Sequence, residues 1–187
     1  MKDESLCLHA GYTPENAGPR VMPIVQSTTF RYDTTKDIAD LFDLKTANYF
    51  YTRLGNPTCG HVEEKIAALE GGVGAMLTSS GQAATLTSVL TIAKAGDRIL
   101  CSASVYGGTF NLMAVTFKRM GIEVDFFEQS ESDEEIAKKI YPNTKAIFGE
   151  TIANPALTVF DISRFAALTH KHEIPLIIDN TFATPIL

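Results

Sequence analysis

No two of the three cysteines, Cys7, Cys59 and Cys101, stand in a CxxC pair. Thiols this far apart do not make the disulfide framework of a small secreted domain, so a reducing compartment, the cytoplasm, is expected. Uncharged runs of bilayer length are also missing, and Met1 to Ser5 lead into no apolar stretch of signal-peptide length. Neither membrane insertion nor secretion is expected. Basic residues are outnumbered, 16 Lys and Arg against 22 Asp and Glu, giving a net charge of −6. Binding along a nucleic-acid backbone, which needs a concentrated basic face, is therefore not the expected task. Lys138-Lys139 is expected as part of a solvated helix face. The phosphate loop GxxxxGK[ST] is absent, and so is a GxGxxG after a first strand, which disfavours nucleotide-binding readings.

What is present is an ordinary globular balance: 187 residues, 45% apolar and 20% charged, enough to bury one substantial core. Residues 1–56 show little periodicity and carry Pro14, Pro19 and Pro23, which predicts an extended or looped arm. The exception is a short helix near Thr35 to Leu44. Asn56-Pro57 then supplies a cap and a proline at the first helical position, and Gly71-Gly72 ends that helix. From residue 57 onward an α/β domain is expected. Apolar runs at Ala75–Ser79, Arg98–Ser102, Glu123–Phe127, Lys145–Gly149 and Leu176–Ile178 predict strands. Helices are predicted from Gly81 to about Ala93, Gly108 to Met120, Glu134 to Ile140 and Ile162 to His172. Strands separated by helices need crossover connections, hence a mostly parallel sheet with helices on both faces.

Ligands of such sheets bind beyond the carboxyl ends of the strands. Four sequences fall there: Ser79-Ser80-Gly81-Gln82, Tyr106-Gly107-Gly108-Thr109, Glu150 to Pro155, and Asp179-Asn180-Thr181. Ser80-Gly81-Gln82 opens a helix, where free N–H groups and the helix dipole favour an anion, although serine there also serves as a plain cap. Asp179 ends a strand expected to be buried, and a buried carboxylate needs a cation or several donors; capping the next turn is the structural alternative. Tyr106 can lay its ring on a planar ligand or on the sheet edge. Tyr51 and Arg53, two residues apart, suit a phosphate if their segment is extended, and suit an exposed loop equally. His170 and His172 share no helix face and make no metal site. Cys101, with no basic partner, is expected as a small buried residue.

Tyr51-Thr52-Arg53, Gly55-Asn56-Pro57-Thr58, Ser79 to Ala84, Tyr106 to Thr109, Glu150 to Pro155 and Asp179-Asn180-Thr181-Phe182 together resemble the Cys/Met-metabolism family of pyridoxal 5'-phosphate (PLP) enzymes. The likeness runs through practically the whole chain in the family's order. It implies the large domain of a fold-type I, aspartate aminotransferase-like enzyme, in a homo-oligomer, a tetramer whose sites are shared within dimers. By the same resemblance, Ser80, Gly81 and Gln82 face the cofactor phosphate, and Tyr51 and Arg53 reach it from a neighbouring subunit. Tyr106 stacks on the pyridine ring and takes a proton during catalysis, Asn154 lies near the ring hydroxyl, Thr181 supports the opposite face, and Asp179 pairs with the ring nitrogen.

Within the family, Ser80-Gly81-Gln82 and Glu150 to Pro155 look most like O-acetylhomoserine sulfhydrylases. Methionine γ-lyases often carry cysteine where this chain has Gly108. The implied reaction is γ-replacement on O-acetyl-L-homoserine with sulfide or methanethiol, giving homocysteine or methionine and acetate. The family's cofactor-bonding lysine follows the Asp-Asn-Thr-Phe segment in a Ser-x-Thr-Lys stretch, and 187 residues end before it. Neither Lys145 nor Lys171 stands in the required setting, so the chain is expected to be truncated, to lack the C-terminal domain and to be inactive alone. The alternatives are a methionine γ-lyase, cystathionine γ-synthase or cystathionine lyase of the same family, and, from another class, a non-catalytic assembly module.

Overall fold

In the computed structural model, which describes residues 2–187, the N-terminal segment is more helical than its prolines predict. Asp3–His9 forms a helix, α1, that the search for apolar periodicity missed. Its signal is charge: Asp3 and Glu4 in the first turn and His9 in the last complement the helix dipole. The second helix, α2, spans Thr35–Phe42 as expected, and the Thr34 hydroxyl accepts the Asp37 N–H at 3.1 Å. The third, α3, spans Pro57–Glu70. Asn56 caps it by accepting the Thr58 N–H at 2.9 Å, and Gly71 ends it at φ 63°, a left-handed conformation that glycine adopts without strain.

Two compact units divide the chain, one ending at Leu77 and the other running Thr78–Pro185. The boundary therefore falls at 77 rather than at 56, and α3 goes with the N-terminal segment. Long-range bonds explain this. The Asn56 amide donates to the Val25 carbonyl at 3.0 Å, the Val25 N–H donates to the Thr58 hydroxyl at 2.9 Å, and the Lys65 ammonium donates to the Cys7 carbonyl at 2.9 Å.

The second unit contains the sheet. Gly81–Ile92 forms α4, with the Ser80 hydroxyl accepting the Ala83 N–H at 3.1 Å. Arg98–Ser102 is β1, and Gly107–Asn111 is α5, which widens into a π-helical stretch over Leu112–Phe117 where one α-helix was expected. Glu123–Phe127 is β2; Asp133–Ala137 is α6, opened by a capping box between Ser132 and Glu135; Thr144–Glu150 is β3. Ile162–Lys171 is α7 and Leu176–Asp179 is β4. All pairings are parallel, in the order β2-β1-β3-β4.

Period-two alternation sends the strand side chains to two cores. Ile99, Cys101, Ala146 and Phe148 meet Val89 of α4 with Met113 and Phe117; Leu100 and Ile147 meet Ile136 of α6 and Phe165 and Leu168 of α7. Helices thus cover both faces, as the strand–helix alternation requires.

Three expectations fail here. Ala75–Ser79 forms no strand, because among the described residues no neighbouring strand pairs with it, and Met76 and Leu77 stay exposed. Strand β4 is half-buried throughout rather than buried, since it is a sheet edge among those residues. Lys139 is not simply solvated: its ammonium donates to the Phe126 carbonyl at 3.2 Å and pairs with Glu131 at 2.6 Å. Among the described residues no helix is long and apolar enough to cross a membrane.

Candidate functional site at the carboxyl ends of the strands

Parallel strands end together, so the loops after β1, β3 and β4 meet at one edge of the sheet with the start of α4. A cavity of about 410 Å³ lies there, a size suited to a small cofactor. Ser80, Gly81 and Gln82 line it at the helix start, and Tyr106, Asn154, Asp179 and Thr181 line it from the loops. These seven of the nine residues singled out in the sequence are brought together. The other two, Tyr51 and Arg53, belong to the first unit.

At the helix start, Gly81 has nothing within 4 Å of where a Cβ would stand, which leaves its main chain open to a ligand. Ser80 does act as a cap, while the Gln82 amide donates to the fully buried Thr109 hydroxyl at 3.0 Å and so ties α4 to α5. The Gln82 side chain is thereby fixed away from free rotation, and its main-chain N–H is in the first turn of a helix of twelve residues.

Two carboxylates also line the cavity. Asp179 and Glu150 are partners in the β3–β4 register, so their side chains leave the same face of the sheet, the face covered by α4. Asp179 also caps the following turn: one oxygen accepts the Thr181 N–H at 3.1 Å and the Thr181 hydroxyl at 2.5 Å. The capping and ligand-facing readings of Asp179 are thus compatible, because the residue lines the cavity while holding the turn.

Sequence reasoning passed over Glu150 as a site residue, although it lies in the Glu150 to Pro155 segment. Glu150 is 3% exposed, and its carboxylate accepts the Tyr106 N–H at 2.6 Å. Burial raises its pKa above the ordinary glutamate value; the Tyr106 N–H draws it back, the Asp179 charge adds to the rise, and the Asn154 N–H opposes it. The folded protein therefore holds this proton more tightly than the unfolded chain, and Glu150 alone makes stability fall as pH climbs from the ordinary glutamate value through the raised one. The signal that finds it is the strand register, which the sequence does not state. Phe182 also lines the cavity and was not singled out.

Tyr106 is 47% exposed and precedes α5. Its ring lies over Gly108, where a Cβ would come within 2.5 Å of a ring carbon. Gly108→Ala is expected to displace the ring while leaving stability unchanged or raised by up to about 1 kcal/mol, since alanine is the better helix former. Ring resonances of Tyr106 in an NMR spectrum, together with a denaturation curve, check both halves.

In the first unit, Tyr51 pairs with Thr29 in an isolated antiparallel bridge, and the chain then turns, with the Leu54 and Gly55 N–H groups both donating to the Tyr51 carbonyl. Of the two conformations left open for this segment, extended or looped, the structure shows a turn, because these bonds close it on itself. The Arg53 guanidinium lies 4.8 Å from the Tyr51 ring centre. Cys101 is a fully buried free thiol whose pKa burial pushes up, the reverse of an activated nucleophile. Among the described residues no cluster of His, Cys, Asp and Glu could hold a metal.

An open helix N-terminus, paired carboxylates and an aromatic ring lining one cavity fit a flat ligand with a phosphate and a protonated ring nitrogen. Comparison with known proteins agrees. The family model for Cys/Met metabolism PLP-dependent enzymes matches residues 4–187. An O-acetyl-L-homoserine sulfhydrylase of Corynebacterium glutamicum is 45% identical over 98% of this chain and 42% of its own length. An L-methionine gamma-lyase of Fusobacterium nucleatum is 42% identical over 96% of this chain and 46% of its own. A crystal structure from Campylobacter jejuni, assigned as an O-acetylhomoserine (thiol)-lyase and carrying N'-pyridoxyl-lysine-5'-monophosphate, superposes with a TM-score of 0.95 at 35% identity, over the full chain and 46% of that one. The chain thus spans less than half the length of these relatives. A parallel sheet whose strand ends gather these residues, matched over nearly every position, leaves one conclusion: this chain belongs to the Cys/Met-metabolism family of PLP-dependent enzymes.

Proposed function

We propose that this protein works as an O-acetylhomoserine sulfhydrylase, replacing the γ-acetoxy group of O-acetyl-L-homoserine with sulfide or methanethiol. The observation that carries the reading is the meeting of the α4 N-terminus with Asp179, Tyr106, Asn154 and Thr181 around one cavity. Relatives named for this activity support its chemistry. Bound PLP supplies an electron sink that a protein side chain cannot.

The chain's own residues divide the work of holding it. Ser80, Gly81 and Gln82 receive the phosphate, the last two through main-chain N–H groups. Asp179 keeps the ring nitrogen protonated, and an ion pair there favours both charged forms. Tyr106 covers one ring face and Thr181 the other, while Asn154 lies toward the ring hydroxyl. The Tyr106 phenol oxygen also accepts a proton from the substrate. Tyr51 and Arg53 reach the phosphate of a neighbouring copy, which makes the first unit an intersubunit arm and the active protein a homo-oligomer. No lysine lines the cavity among the described residues, so these 187 residues assayed alone are expected to give no turnover.

The likeness to an L-methionine gamma-lyase favours elimination as a second reading. Incubation of the active protein with O-acetyl-L-homoserine and sulfide separates the two. Homocysteine and acetate are expected; acetate, ammonia and 2-oxobutanoate, with no homocysteine, would overturn the replacement reading.

A further inference from the structure

Glu150 differs from the other cavity residues in its burial and in its bonding. It ends β3, a central strand, and lies beside Asp179 in register on the adjoining strand. Its carboxylate accepts the Tyr106 N–H of the turn after β1 at 2.6 Å and lines the same cavity as Asn154 of the turn after β3. Tyr106 is the residue whose side chain would meet the ring face of the cofactor. The turn after β3 is closed by its own Ile152–Val159 bridge, whereas Tyr106 sits before a helix of only five residues with no side-chain cap.

Placing a second carboxylate next to Asp179 is electrostatically unfavourable, since like charges side by side on one sheet face repel. A purely structural acceptor for an N–H group need carry no charge, as a side-chain amide or a carbonyl would serve. We infer that Glu150 is a positioning residue for the cofactor: it fixes the main chain at Tyr106 and adds its negative charge to the field that Asp179 presents to the ring. The inference rests on the PLP reading above and deepens it. The cofactor cation offsets the repulsion between the two carboxylates, so binding and local order support each other.

Glu150→Gln and Glu150→Ala test it, with pyridoxamine 5'-phosphate as the probe because it binds without bonding to a lysine. Amide hydrogen exchange in the ligand-free protein is measured first. Exchange at Tyr106 is expected to quicken in Glu150→Ala while Ile99 and Phe148, inside β1 and β3, stay protected. Unchanged protection at the Tyr106 amide overturns the positioning role.

Titration with pyridoxamine 5'-phosphate, followed by the circular dichroism of the bound ring, comes second. Glu150→Gln keeps the shape and loses the charge, and is expected to bind about tenfold more weakly. It should also show an altered ring signal at an unchanged or raised thermal midpoint, since the repulsion with Asp179 is relieved, and equal affinity with an unaltered signal would overturn the charge contribution. Wild-type protein that fails to bind the probe would instead overturn the cofactor reading, whatever the exchange data show.

Discussion

Asp179→Asn is expected to weaken PLP binding by about 10- to 100-fold while leaving the fold intact. A hydrogen bond to a charged partner contributes roughly 1.5–3 kcal/mol, and each 1.4 kcal/mol is a factor of about ten in affinity. Asparagine preserves the oxygen that accepts the Thr181 N–H and hydroxyl, so the turn after β4 survives the change. What disappears is the charge facing the ring nitrogen. Glu150 stays beside it and still faces the cavity, which keeps the loss short of total. A spectroscopic PLP titration of both proteins checks this, and equal dissociation constants would mean that Asp179 serves the turn alone.

Phe165→Ala is expected to lower the unfolding free energy by about 3–5 kcal/mol, the range for deleting a buried aromatic side chain. Phe165 is fully buried under the second face of the sheet, with its ring 4.3 Å from that of Phe160 and 5.1 Å from that of Phe127. Aromatic pairs of this kind add about 0.5–1.5 kcal/mol beyond the area they bury. The loss is large against the 5–15 kcal/mol typical of whole domains. It also reaches the site. Phe160 rests on Gly149, where a Cβ would stand 2.6 Å from its ring, and Gly149 adjoins Glu150. A urea denaturation curve reads the stability change, and a shift below about 1 kcal/mol would show that Phe160 and Phe127 repack into the space.

Much of this fold is legible because its signals are local. The Thr34, Asn56 and Ser80 caps, the proline at the start of α3 and Gly71 at its end each act within a few residues of where they stand. The strand–helix alternation carries the parallel sheet, since crossover connections admit little else. Where the reading fails, the deciding partner is distant in sequence. Ala75–Ser79 has the composition of a strand, but a strand exists only in a ladder. The division after Leu77 depends on bonds from α3 back to Cys7 and Val25. Whether Tyr51 and Arg53 are extended or looped was open in the sequence, and hydrogen bonds to the Tyr51 carbonyl make them a turn.

The cavity divides the same way. Its members at Ser80 to Gln82, Tyr106, Asn154, Asp179 and Thr181 were each visible as residues following an apolar run or in a distinctive short motif. Glu150 was not, because its importance lies in three relations the sequence does not state: the pairing with Asp179, the bond to Tyr106 across 44 positions, and near-complete burial. By itself the sequence determined most of the helices and the four strands that pair, which residue types gather at the strand ends and which family they resemble, because propensity, capping and periodicity act over short spans. Only the tertiary structure decided that two carboxylates stand side by side and that one of them, nearly buried, accepts the Tyr106 N–H, because register and burial arise when distant segments pack.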